Sequence, residues 1–163
     1  VPEPYIVKES AKIMDLTDPT SKMSGSTSPD KGLVLLSDED ARIAKKIKSA
    51  VTDTEAEVRF DPEHKAGISN LLVIHSTLSG TSIPDLEARF AGQGYGAFKG
   101  EVADVVVDTI APFRARMAEL LADPAELDRL VGLGAQRARV VARSTMARVR
   151  SAVGLVPALG QDG

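Results

Sequence analysis

Between Phe98 and Leu121 apolar residues recur at the spacing of one helical face. Val102, Val105, Val106, Thr109, Ile110, Phe113, Met117 and Leu120 fall on a single stripe. A stripe of that length predicts the backbone helix of a small domain and commits the chain to a mainly α fold. Pro112 lies within it, where the ring removes a backbone donor, so a kink or break is expected there. A further helix is predicted from about Pro124 to Val153. Leu127, Leu130, Val131, Ala138, Val141, Ala142 and Val149 share one sector of it, and Arg129, Arg139, Arg143 and Arg150 share another. Gly132 and Gly134 weaken its beginning.

Shorter helices precede these. Ser37-Asp38-Glu39-Asp40 reads as a capping box, with Lys45, Lys46 and Lys48 in the last turn of the helix it opens and Ile43 and Ile47 on the buried side. Ile68, Leu71, Leu72, His75 and Leu78 predict a second helix from about Gly67 to Leu78, ended by Gly80. Ser82, Pro84 and Asp85 open a third that turns Leu86 and Phe90 inward, and Gly92 to Gly100 is expected to be the loop leading to the long helix. Tyr5-Ile6-Val7 and Lys12-Ile13-Met14 read as short strand pieces, and the chain has no internal repeat.

The 163 residues are enough for one domain with a sizeable core. There is no cysteine, which excludes disulfides, thiolate chemistry and Cys-based zinc sites, and leaves the cytoplasm as the simplest location. The two histidines, His64 and His75, are far apart, so no metal site is expected; His75 reads as a hydrogen-bonded core residue and His64 as exposed. Apolar runs such as Gly32 to Leu36 fall far short of the roughly 20 residues of a membrane span, so no membrane partner is expected. Net charge is −3, yet Arg129, Arg137, Arg139, Arg143, Arg148 and Arg150 occupy a stretch reaching Gln161 that holds no Asp or Glu. Such a basic end implies either a polyanionic partner or a solvated helix face.

The segment Asp18-Pro19-Thr20-Ser21-Lys22-Met23-Ser24-Gly25-Ser26, followed by more Ser, Thr and Pro up to Lys31, is expected to be a mobile loop carrying one ammonium and several hydroxyls. It resembles the ATP-site loop Lys-Met-Ser-Lys-Ser of class I aminoacyl-tRNA synthetases, with Gly25 at the place of the second Lys. Ala11 to Thr20, Lys45 to Asp53, Gly67 to Leu72, Ser76 to Gly80, Gly94-Tyr95-Gly96 and the basic C-terminal helix with Gly134-Ala135 and Ala142 are, in the same order, similar to bacterial tryptophanyl-tRNA synthetases. The likeness runs along nearly the whole chain.

The resemblance implies a fold and two sites. Residues 1–36 would be the C-terminal edge of a Rossmann-type α/β catalytic domain, 37–157 an α-helical anticodon-binding bundle and 158–163 a disordered tail. That family has a larger nucleotide-binding domain in front, so the chain is expected to be a C-terminal part, inactive by itself. The ligands implied are ATP with Mg2+, tryptophan and tRNA(Trp), and the assembly implied is a homodimer. Lys22 would act on the phosphates as the catalytic cation, Met23 would meet adenine through its backbone, and Ser24 and Ser26 would donate hydrogen bonds. Charge building on departing pyrophosphate needs such cations, so Gly25 predicts slower adenylate formation unless another Lys, Lys31 being nearest in sequence, takes its place. Gly25 also keeps open a second reading, a paralogue that binds tRNA or a protein without efficient catalysis.

For the tRNA, Lys45, Lys46, Lys48 and Arg59 suit phosphates, and Thr52 and Asp53 suit base edges. Asp53 equally fits an Asx turn or cap, which Thr-Asp-Thr after a helix commonly forms. Gly92-Gln93-Gly94-Tyr95-Gly96 lacks the preceding strand of a phosphate-binding loop and reads as a connector. Asp38, Glu39 and Asp40 suit helix initiation better than acid/base pairing.

Overall fold

The structure, a computed structural model, describes residues 12–155. The chain forms two compact units, Val1–Ala115 and Arg116–Gly163. The expected strand Tyr5-Ile6-Val7 and the tail beyond Val156-Pro157 lie outside the described residues.

In the first unit a 3-10 turn, Asp30–Gly32, is followed by α1 (Asp40–Lys48), α2 (Ala66–Ser79), α3 (Ile83–Phe90) and the start of α4 (Gly94–Ala122). Helix α2 is the centre. Ile68, Leu71 and Leu72 are fully buried, and residues 67 to 75 are buried on every side of the helix rather than along one face. Around it pack Leu16, Ile43, Ile47, Leu86, Phe90, Phe98, Val102 and Ala103. Phe90 meets Phe98 edge to face at 5.0 Å. Each such large side chain contributes about 1.5–3 kcal/mol by leaving water. Gly80 ends α2 at φ 74°, a left-handed cap that costs glycine little.

Several boundaries differ from the sequence reading. Helix α1 starts at Asp40 with Glu39 as its cap residue and no side-chain cap, so the expected capping box does not form. Asp38 is instead buried, accepting from Lys46 Nζ at 2.7 Å and from the Leu35 N–H at 3.0 Å. A buried ammonium outcompetes a solvated helix end for the carboxylate. Helix α4 begins at Gly94, so most of Gly92 to Gly100 is helix. Phe98 is fully buried and Tyr95 packs on the core, and that burial overrides the low helix propensity of the three glycines. Helix α4 also continues unbroken through Pro112. Its stripe is buried at Val102 and Val106, while Phe113 stays 61 % exposed. Lys12-Ile13-Met14 forms only a single antiparallel bridge, between Met14 and Lys22, and there is no strand among the described residues.

In the second unit α5 (Pro124–Ala152) opens with Asp123, whose carboxylate accepts from the Glu126 N–H, and with Pro124 in the first turn. None of its residues is buried. Val131 and Val141 of its apolar sector are 63 % and 70 % exposed.

The Asp38–Lys46 pair has both side chains within 5 % of full burial. Removing one partner strands the other, so Asp38→Ala should lower unfolding stability by about 3 kcal/mol, the low end for a buried pair because Asp30 stays 3.4 Å from Lys46. Burial pushes the Asp38 carboxyl up, but Lys46, the Leu35 N–H and Arg42 outweigh it and hold the group below its ordinary value. Its contribution is therefore complete above the ordinary carboxylate range and is lost as pH falls through the lowered value. Urea titrations of wild type and Asp38→Ala should differ fully at about pH 7 and draw together only as pH falls below the ordinary carboxylate range.

Candidate functional site

The loop that resembles an ATP-site signature is tied down at its stem and open at its tip. Residues 13 to 16 form the inner stem. Asn70 of buried α2 clamps Met14 on both backbone groups, accepting from its N–H at 2.8 Å and donating to its carbonyl at 2.9 Å. The returning chain pairs with the same stem. Met23 N–H donates to Ile13 O, Asp15 N–H to Ser21 O and Leu16 N–H to Gly32 O. On its other side Leu16 O accepts from the Val51 N–H at 2.8 Å.

The tip is held by its own hydroxyls. Asp18 accepts from the Thr20 N–H and hydroxyl and from the Ser21 hydroxyl, shaping the turn that precedes Lys22. Ser24 N–H donates to Ser28 Oγ at 3.0 Å, and the Ser24 and Ser26 hydroxyls lie 3.2 Å apart. Lys22 and Ser26 are exposed, and Met23 and Ser24 half-buried. Gly25 is exposed, and a Cβ built on it meets nothing within 4 Å, so a side chain is sterically permitted there.

Among the cavities beside this loop, two have contrasting linings. One, of about 340 Å³, is apolar and lined by Ile13, Met23, Val34, Ile47, Ile74 and Val106 among others. The second, of about 510 Å³, lies between the loop stem and α1 and is lined by Thr17, Asp30, Lys31, Arg42, Lys45, Lys46 and Ser49. Lys31 thus faces the same space as Lys45, and Asp30 there bridges Arg42 at 2.6 Å and Lys46 at 3.4 Å.

The residues singled out for tRNA fall into two groups. Lys45, Lys48 and Arg59 are exposed. Arg59 is shared between Glu57 and Asp61, and Asp61 is held at a pKa of about 2 by the His64 N–H first, with Arg59 adding to the effect. Lys46, Thr52 and Asp53 are already engaged. Lys46 is 4 % exposed against Asp38, which corrects its reading as a phosphate contact. Thr52 Oγ1 accepts from Lys99 Nζ at 3.0 Å. Asp53 Oδ1 accepts from Tyr95 OH at 2.6 Å, Lys65 Nζ at 3.1 Å and the Glu55 N–H at 3.0 Å, while Oδ2 is buried without a hydrogen-bond partner. The Asx turn is therefore present, with Oδ1 engaged three times over and Oδ2 shielded from solvent.

Lys65 and Tyr95 are the residues that sequence reasoning missed. Lys65 is 1 % exposed, and although burial pulls its pKa down, Glu55, Tyr95 and Asp53 together hold it above the ordinary lysine value. The Gly-Tyr-Gly stretch was the available signal, since a tyrosine flanked by glycines at a helix start can bring its hydroxyl to a neighbouring loop. His75 takes the expected core role. It is 1 % exposed, pairs through Nε2 with Glu101 at 2.9 Å and through Nδ1 with the Ser79 hydroxyl at 3.1 Å, and stacks on Phe98. His64 is exposed, as expected, beside Asp61.

Comparison with known proteins places this geometry. The profile of the family described as tRNA synthetases class I (W and Y) matches residues 1–111. The chain belongs to that family. This synthetase-family chain is 54 % identical over 158 residues to tryptophan–tRNA ligase 2 of Streptomyces avermitilis, covering 97 % of this chain and 47 % of that protein. It is 49 % identical over 160 residues to the tryptophan–tRNA ligase of Mycobacterium leprae, covering 98 % and 47 %. The chain thus spans about half the length of the curated relatives it matches. Among solved structures, the tryptophanyl-tRNA synthetase of Mycoplasma pneumoniae superposes with a TM-score of 0.81 at 27 % identity, over 93 % of this chain and 47 % of that one. That of Campylobacter jejuni, complexed with ADP and tryptophan, gives 0.64 at 27 %, over 93 % and 46 %. The mainly helical fold agrees with these neighbours. Among the described residues no helix is long and apolar enough to cross a membrane.

Burial pushes the Asp53 carboxyl up, but Tyr95, the Glu55 N–H and Lys65 outweigh it and keep it below its ordinary value. Tyr95→Phe removes the shortest of these bonds and should move the Asp53 titration upward in a carboxyl NMR experiment. A hydrogen bond to a charged group is worth about 1.5–3 kcal/mol, so stability at neutral pH should fall by that order, and the loss should shrink once Asp53 is protonated in acid.

Proposed function

We propose that this chain is the C-terminal part of a cytoplasmic tryptophan–tRNA ligase, which joins tryptophan to tRNA(Trp) at the expense of ATP and works as a homodimer. The observation that carries the reading is the 54 % identity sustained over 158 residues, together with a loop that offers Lys22, Ser24 and Ser26 in the order of the family's ATP-site loop. In the reaction the tryptophan carboxylate attacks the α-phosphate of ATP, pyrophosphate leaves, and the aminoacyl group passes from the adenylate to the tRNA terminus. The residues present suit that step. Lys22 is an exposed ammonium on a hydroxyl-rich tip, where it can meet the charge that grows on the leaving pyrophosphate. Met23 meets adenine through its backbone, Ser24 and Ser26 supply donors, and Mg2+ enters with the ATP phosphates.

Within residues 37–157, Lys45 and Lys48 hold tRNA phosphates from the exposed face of α1, with Arg59 beyond them. Thr52 and Asp53 shape the segment between them from inside the Lys65–Tyr95–Lys99 network. Residues 1–36 remain assigned to the edge of the catalytic domain, with the signature loop, and 158–163 to a tail. Gly25 favours a second reading, a paralogue with weakened catalysis that keeps RNA or protein binding.

The two readings separate in the whole protein. Tryptophan-dependent pyrophosphate exchange should be measurable, and Lys22→Ala should reduce its kcat by about 10²–10³-fold, the usual cost of one transition-state electrostatic interaction. Gly25→Lys, for which the loop has room, should raise it; absence of any exchange in wild type together with retained tRNA binding would establish the paralogue. Replacing Lys45 and Lys48 by Ala should weaken tRNA binding and flatten the dependence of log K on log salt by about 0.7 for each phosphate that is no longer neutralised.

A further inference from the structure

The stem of the signature loop contains a carboxylate that pairs with no cation among the described residues. Asp15 is 2 % exposed, and its Oδ1 accepts from the Thr17 N–H at 2.7 Å, the Thr17 hydroxyl at 2.7 Å and the Asp18 N–H at 3.1 Å. Nearby in the loop, Ser28 Oγ accepts from the Ser24 N–H. Opposite stands Gly32, buried, with its carbonyl taking the Leu16 N–H. A Cβ on residue 32 would overlap both oxygens and the carboxyl carbon of Asp15. Here the glycine answers a need for space. Its backbone lies outside the left-handed region, so conformational freedom does not explain it.

We propose that Asp15 and Gly32 form a clasp that closes the base of the signature loop, with the Asp15 carboxylate filling the place of the missing Cβ and setting the position of Lys22 through the Thr17–Asp18 turn. Asp15 is thus a positioning residue: it lies behind the loop and touches no substrate. The clasp binds both arms at once, since Thr17 and Asp18 belong to the outgoing arm and Gly32 to the returning one. A carboxylate suits this better than an amide or a hydroxyl, because every group that reaches it is a donor, and donors to an ionised acceptor bind more strongly than to a neutral one. Burial pushes the Asp15 carboxyl up, and these donors outweigh it. The assignment rests on the ATP-site reading for its catalytic consequence but not for its structural one.

The test is a double-mutant cycle in the whole protein, read in two ways. The first readout is tryptic cleavage after Lys22 and Lys31 under native conditions, which needs no activity. Asp15→Ala should accelerate it, because the donors around the carboxylate lose their acceptor, and Gly32→Ala should do the same, because the methyl expels the carboxylate. The double variant should be no worse than either single one, since the methyl then fills the vacated space. The second readout is pyrophosphate exchange, in which either single change should lower kcat by about 10- to 100-fold through misplacement of Lys22, with the KM for tryptophan unchanged. Asp15→Asn, which keeps the Oδ1 acceptor but not its charge, should restore part of the rate lost in Asp15→Ala. Cleavage unchanged in both single variants, or effects that multiply in the double variant, would overturn the clasp. Altered cleavage with unchanged kcat would overturn its positioning role. If wild type shows no exchange, the ligase reading fails while the cleavage cycle still decides the clasp.

Discussion

Between residues 67 and 75, where α2 is enclosed on all sides, no water reaches its side chains, so the polar groups there must find protein partners, and those partners organise the first unit. Ser69 accepts from the Asp61 N–H, Asn70 clamps Met14, and His75 ties Glu101 and Ser79. These bonds hold irregular segments and helix α4 in place. The hydrophobic residues of α2 supply the driving force, and its few polar ones determine where the irregular chain passes. Gly67 marks how close that approach is, because a Cβ there would overlap the Val51 carbonyl.

Charged groups below the surface follow the same rule. Asp38 with Lys46 and Asp53 with Lys65 each place a carboxylate against an ammonium and add backbone or hydroxyl donors. Those additional bonds are what make the burial tolerable, because attraction alone seldom offsets the loss of hydration. Asp15 is the exception, held by one hydroxyl and two N–H groups, and it is the one adjoining the loop whose placement the proposed reaction needs.

Much of this was legible in the residues and some was not. Helices with a clear one-sided pattern, such as Ile83–Phe90 with Leu86 and Phe90 inward, matched their reading because local spacing alone decides them. Element edges failed where tertiary packing outweighed propensity, as at Gly94, where burial of Phe98 draws three glycines into α4. Asp38 was read from its neighbours in sequence as a helix starter, whereas its partner Lys46 lies eight positions on, across a helix that had yet to form. The signature loop was visible as a motif. Its clasp was not, since an aspartate and a glycine far apart in sequence carry no pattern until the chain returns on itself. The same holds for Asp53, whose partners Lys65 and Tyr95 come from two later elements.

Leu16 is shared property. Its N–H serves the returning arm of the loop and its carbonyl serves Val51, the residue just ahead of Thr52 and Asp53. A single residue therefore stands between the signature loop and the segment that follows α1, and Leu16 itself is locked in the core. A tug on either end has almost no slack to take up before it is felt at the other.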